Sequence, residues 1–201
     1  DGKYRYSFNK KYTGGYDSFT FDVRLSDGIC HRLTVYLRFV FSGATVESYG
    51  GVASADLNAE EALLAEKTPL TVVTEQAAGV ANYTSSAENK YEVKVSKFWY
   101  KAPSSGQYGF SMVADDKGKL YFGENFETME QKIEIDSYIG KYDDKNSFTA
   151  TLQEGRYYAF KLVNLNTGGN GGAGVGVKFG DATGYASIAA SQIRVATVEN
   201  P

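Results

Sequence analysis

The chain has 201 residues, with 21 Lys and Arg against 24 Asp and Glu and a net charge of −3, the two signs mixed along its length. That balance provides no basic footprint for nucleic acid, and a single cysteine, Cys30, excludes an internal disulfide framework or a multi-cysteine zinc cluster. No apolar run approaches the ~20 residues of a bilayer-spanning helix, so no direct membrane insertion is expected.

The chain has 22 glycines, 16 tyrosines, 12 phenylalanines and 3 prolines, a composition suited to strands and tight turns. With no initiator Met and no signal-like segment, it reads as a piece of a larger protein. The first element is a hairpin. Phe19, Phe21, Val23 and Leu25 alternate with polar residues, and Leu33, Val35, Leu37, Phe39 and Phe41 repeat the period after a turn at Asp27-Gly28. Residues 42–90 are small and polar, apart from one short surface helix at Ala59–Lys67. Asn58 is its expected cap, Glu61 the reciprocal partner, and Pro69 lies beyond its end. Asn82-Tyr83-Thr84 is a glycosylation sequon within this stretch.

Further strands are expected at 91–100, 107–113, 119–122, 131–136, 147–152, 156–164, 173–179 and 192–198. Turn residues separate them, as in Ser104-Ser105-Gly106, Lys117-Gly118 and Glu154-Gly155. This spacing predicts an all-β, antiparallel sandwich or jelly roll. The glycine run 168–174 is expected to be a loop whose backbone takes unusual dihedrals or approaches something closely. Trp99, Tyr100, Phe110 and Phe160 are expected in the core.

Catalytic chemistry finds little support. Cys30 and His31 are neighbours, and adjacent residues of a strand point to opposite faces, so they form no dyad. The glycine run has no Walker ending and precedes no helix. Two adjacent acidic pairs occur, Asp115-Asp116 and Asp143-Asp144. Consecutive residues make poor acid/base couples for glycoside hydrolysis, which needs two carboxyls roughly 5–9.5 Å apart across a sugar. A hard cation suits them better, since calcium takes oxygens from carboxylates, amides and main-chain carbonyls. Asp143-Asp144, flanked by Lys141 and Lys145, reads as a solvated turn, whereas Asp115-Asp116 ends one strand and precedes another.

The run from Phe98 to Gly123 resembles the protective-antigen (PA14-type) domain family. Its matching positions are Pro103, Gly106, Tyr108, Phe110, Asp115, Asp116, Leu120 and Gly123. A second segment, Tyr157-Tyr158-Ala159-Phe160-Lys161-Leu162-Val163-Asn164-Leu165-Asn166, is similar to the strand before the sugar-facing loop in that family's calcium-dependent lectins, the flocculins and epithelial adhesins. The resemblance covers about 88–180 of a chain read as one domain over 1–201, with N-terminal strands in 1–45 outside the matched motifs.

The resemblance implies a cis peptide between Asp115 and Asp116, aiming both carboxylates at one Ca2+ ion. Its remaining ligands would be the Asn166 side chain and the main-chain carbonyls of Gly168 and Asn170. Vicinal hydroxyls of a glycan would fill the open positions, so Asp115, Asp116, Asn166 and Asn170 are also the expected sugar-binding residues. It further implies a non-enzymatic, secreted or cell-surface adhesin domain. Two other readings of the same fold stay open: a structural or protein-interaction module, and a sugar-binding appendage of a secreted glycosidase. Two structural readings also stay open: the acidic pair as hydrogen-bonding residues of a turn, and Asn166 as an Asx-turn residue serving the loop itself. Two features depart from the lectin pattern: the family's flocculins are cysteine-rich, and residues 168–174 carry no aromatic side chain.

Overall fold

A computed structural model describes residues 15–39, 41–50, 56–64, 66–75, 77–84 and 92–196. The chain divides into two compact units, 1–41 and 42–201.

The first unit contains the expected hairpin. Strand β1 (Gly15–Arg24) pairs antiparallel with β2 (Cys30–Phe39) in unbroken register, from Gly15 opposite Phe39 to Arg24 opposite Cys30. Its turn closes as the residues there dictate. Gly28 takes φ +87°, which a side chain would resist, and Asp27 Oδ1 accepts the Ile29 N–H at 2.9 Å. On one face Asp22 and Arg32 form a two-bond ion pair and Thr20 meets Thr34, while Phe19 and Phe21 lie on the other.

The second unit is an antiparallel β-sandwich. Its strands are β3 (Ala44–Tyr49), β4 (Thr71–Glu75), β5 (Gly79–Thr84), β6 (Glu92–Lys101), β7 (Gly106–Asp115), β8 (Lys117–Gly123) and β9 (Glu130–Ile135). They continue with β10 (Ser147–Leu152), β11 (Tyr157–Asn166), β12 (Asn170–Phe179), β13 (Ala186–Ser187) and β14 (Ile193–Val195). A seven-stranded sheet runs β4-β3-β6-β11-β8-β9 with β14 also on β6, and a five-stranded sheet runs β10-β7-β12-β13 with β5 also on β12. Period-two alternation sends Phe98, Tyr100, Phe160 and Leu162 of one sheet against Tyr108, Phe110 and Met112 of the other, all at most 1% exposed. Aromatic rings interlock there, Phe110 lying 5.0 Å from Phe160 and 5.5 Å from Tyr100, both edge-on. Trp99 is also buried, with its ring edge-on to Phe126.

The only α-helix among the described residues is α1 (Leu57–Leu64), which packs on the outer face of the larger sheet through Leu57 and Leu64. It starts earlier and ends earlier than its expected bounds. Asn58 lies inside the helix and is not its cap: its N–H donates to Asp56 Oδ1, and its own Oδ1 accepts from Lys119. Glu61 does not reach back to Asn58 either. It accepts from Lys119, Lys161 and Tyr121, because the sheet beneath offers cationic partners stronger than one main-chain N–H.

Three strands, β3, β4 and β5, lie where a small, polar connection is expected. Ala44, Thr45 and Val46 of β3 are buried in succession, which hides the two-residue period. Strand β4 hides it the opposite way, with both faces largely exposed. The sequon lies in β5. The glycine run is a loop only to Gly169, since β12 begins at Asn170 and pairs with β5 and β7.

Candidate functional site

Strand β7 brings Asp115 to one end of the sandwich, and β8 leaves from Lys117, so Asp115-Asp116 is itself the turn between them. Their peptide bond is cis, as the resemblance implies. Lys117-Gly118, expected as the turn, instead opens β8. Gly118 faces the core, where a Cβ would come within 2.2 Å of Met112 Cε.

The end of β11 meets this turn from the other sheet. Asn164 is fully buried, and its Nδ2 donates to the carbonyls of Asp115 (3.2 Å) and Lys117 (2.8 Å), which flank Asp116. Past β11 the chain turns through Thr167, Gly168 and Gly169 into β12. Thr167 donates both its N–H (2.7 Å) and its hydroxyl (2.5 Å) to Asp116 Oδ2. The Asn166 side chain is buried and serves the loop: Oδ1 accepts the Gly168 N–H at 3.1 Å, and Nδ2 donates to the Gly169 carbonyl at 3.3 Å. Gly169 has φ +73°. Gly171 leaves room for this side chain, since a Cβ there would lie 2.7 Å from Asn166 Cγ. Gly168 and Asn170 are exposed at the loop's rim.

Thus Asp116 and the loop from Asn166 to Asn170 share direct contacts, and Asp115 stands opposite Gly172 in the β7–β12 register. The Asx-turn reading of Asn166 is realised in the Gly168 bond. One lone pair of its Oδ1 is used there, and a carbonyl oxygen carries two.

Neither aspartate forms an ion pair among the described residues. Burial pushes the Asp115 carboxyl above the ordinary range, and the adjacent Asp116 carboxylate pushes the same way. Both effects would be relieved by positive charge. No group of three or more His, Cys, Asp or Glu gathers among the described residues. A cation at this turn would therefore take two carboxylates and complete its shell with amide and main-chain oxygens, a donor set that suits calcium and not zinc.

Beside Asp115 the outer face of the smaller sheet carries a cavity of about 400 Å³, walled by Val113, Asp115, Tyr138, Tyr142, Gly172 and Gly174. The 136–146 loop forms its far wall, held by a bridge between Ala114 and Ile139. The glycines of β12 make the approach possible: a Cβ on Gly176 would sit 2.8 Å from the Tyr142 ring. Tyr138 is 66% exposed. It supplies an aromatic face absent from 168–174, and sequence reasoning missed it because only tertiary contacts, such as the Ala114–Ile139 bridge and the Ser111–Asp143 bonds, bring that loop to the site.

The other candidates lie elsewhere. Cys30 and His31 are exposed neighbours on β2. Asp143 organises a turn by accepting the N–H groups of Lys145 and Asn146, both at 3.0 Å, and Asp144 accepts from Lys178 and Tyr185.

Residues 93–179 match the family model described as GLEYA domain. Antigenic protein NP1 of Entamoeba histolytica is 30% identical over 152 residues, which are 74% of this chain and 23% of that protein. Antigenic protein P1 of the same organism is 30% identical over 128 residues, 62% of this chain and 11% of that protein. The chain therefore spans less than a quarter of the length of either relative.

Among solved structures, the PA14 domain of the MpAFP antifreeze protein aligns with a TM-score of 0.61 at 14% identity, covering 80% of this chain and 94% of that one. The A domain of epithelial adhesin 6 from Candida glabrata, in complex with Galβ1-3GlcNAc, aligns with 0.59 at 12% identity, covering 82% and 91%. A PA14 sugar-binding domain from an RTX adhesin aligns with 0.57 at 12% identity, covering 77% and 99%. The chain has the PA14-type fold, and the resemblance read from its two motifs stands.

Proposed function

We propose that this chain is a calcium-dependent carbohydrate-binding domain of a cell-surface or secreted adhesin, and that its partners are glycans. The observation that carries the reading is the acidic turn. Two adjacent carboxylates, neither in an ion pair among the described residues, stand beside the Asn166–Asn170 loop, with Asp116 bonded to Thr167 and Asp115 lining an open cavity. Support also comes from the solved domains of the same fold that are described as sugar-binding or hold a galactose-containing disaccharide.

In this reading Asp115, Asp116 and Asn166 hold the ion by their side chains, and Gly168 and Asn170 by their main-chain carbonyls. Calcium supplies coordination positions that vicinal sugar hydroxyls fill in place of water. The protein does the rest. Asn164 fixes the carbonyls on either side of Asp116, so the turn is rigid before anything binds. Asn170 borders the sugar, and Tyr138 offers it an aromatic face across the cavity. The domain binds without transforming its ligand. Its relatives are antigenic proteins, which accords with an extracellular setting.

Calcium titration calorimetry on the wild type and Asp116→Ala tests the metal. The wild type is expected to bind one ion and the variant at least about tenfold more weakly, as loss of a charged ligand implies; equal affinities would refute the site. A glycan array including Galβ1-3GlcNAc, probed with calcium and with chelator, tests the ligand. A signal that vanishes with chelator is expected, and no signal in either condition would favour a structural module of the same fold.

A further inference from the structure

The β11–β12 loop contributes one residue that no ligand assignment includes. Thr167 lies between Asn166 and Gly168 and is half-buried. It places two donors on a single atom, its N–H and its hydroxyl both ending on Asp116 Oδ2. An aspartate side chain has two free torsions, and holding one carboxylate oxygen from two directions fixes both of them. With Oδ2 engaged, Oδ1 is the oxygen left to point elsewhere. The anchor is stiff at its own end, because a β-branched residue has restricted χ1 and its N–H belongs to the turn that Asn166 closes.

We propose that Thr167 is the positioning residue of the acidic turn. It locks the Asp116 rotamer so that one carboxylate oxygen is committed to the loop and the other is presented for a hard cation. This rests on the calcium reading above. The lock also couples the two halves of the site, since Asp116 comes from the β7–β8 turn and Thr167 from the loop that carries Asn166, Gly168 and Asn170. Any shift of that loop moves the carboxylate with it. The ordering of Asp116 is then complete before the ion arrives, and binding is tighter to the extent that this ordering need not occur on binding.

The test compares Thr167→Val, which keeps the branch and removes the hydroxyl, with Thr167→Ser, which keeps the hydroxyl. Thr167→Ala replaces the valine variant if that one fails to fold. Two readouts are taken on the 201-residue chain. In chelator, three-bond NMR couplings report the χ1 of Asp116: one rotamer is expected in the wild type and the serine variant, and averaging in the valine variant. With calcium, calorimetry is expected to show the valine variant weakened about tenfold and the serine variant within about threefold of wild type, the range of one charge-assisted hydrogen bond. An ordered Asp116 in the valine variant, or calcium affinity equal to wild type, overturns the proposal. If the wild type binds no calcium, the metal reading fails by itself, and the chelator couplings still decide whether Thr167 positions Asp116.

Discussion

The chain carries two Asp-Asp dipeptides, and the structure gives them opposite surroundings. At Asp143-Asp144 both carboxylates have hydrogen-bond partners, one set within the turn and one brought from elsewhere in the chain. Asp143 caps the N–H groups of its own turn, and Asp144 faces Lys178 and Tyr185, whose donors hold its carboxyl below the ordinary range. At Asp115-Asp116 the partners are one threonine and a neighbouring negative charge, and the Asp115 carboxyl is pushed up. Identical dipeptides thus differ in what they lack. The first pair is a finished turn, whereas at the second the Asp115 carboxylate is disfavoured by burial and by its neighbour, a pairing that positive charge would favour.

That contrast can be broken first at Asn164. Asn164→Asp removes both donors to the Asp115 and Lys117 carbonyls and buries a third carboxylate beside the pair. Urea denaturation is expected to show a loss of ~3 kcal/mol or more, as for an unpaired buried charge. No comparable loss is available at the other pair. Asp143→Ala leaves the Lys145 and Asn146 N–H groups to solvent, and the expected cost is about 1–2 kcal/mol by the same measurement, with calcium affinity unchanged.

The pH dependence sharpens the comparison, because the two shifts have opposite signs. A carboxyl whose folded value is raised favours the folded state below its unfolded value of about 4, and that advantage is lost as pH rises through the folded value. Asp115→Asn is therefore expected to raise the melting temperature in chelator at neutral pH, with the gain vanishing on acidification. A lowered carboxyl favours folding above its unfolded value and loses that advantage as pH falls through the folded one. Asp144→Asn is accordingly expected to lower the neutral-pH melting temperature, with no difference in acid. Its effect should be the smallest of the series, since Asp144 is exposed and its ion pair is screened.

Much of the sandwich was legible as alternation, because a strand with one wet face must repeat every two residues. β7, β10 and β11 lie close to their expected bounds for that reason. The strands that escaped notice break the premise in opposite senses. In β3, Ala44, Thr45 and Val46 are all covered, whereas Val72 and Val73 of β4 are both exposed. Asn58 and Glu61 satisfy a local capping pattern that the fold overrides, because Lys119 and Lys161, distant in the chain, take the same oxygens. In the candidate site the acidic pair and Asn166 were visible as motif positions. Thr167, Asn164 and Tyr138 were not, since each acts through a contact that only the folded chain creates.

By itself, the amino-acid sequence determined the class of the fold, its aromatic core and the two segments that meet at the turn. The fold class and the core follow from periodicity and from residue types that suit one backbone state, which are local properties, and the two segments from their resemblance to the family's motifs. Tertiary structure alone decided which acidic pair is left without a cationic partner among the described residues, where the glycines of β12 make room for Tyr142, and which oxygen of Asp116 is engaged. Charge balance and close approach depend on neighbours brought from far along the chain, and no local pattern encodes them.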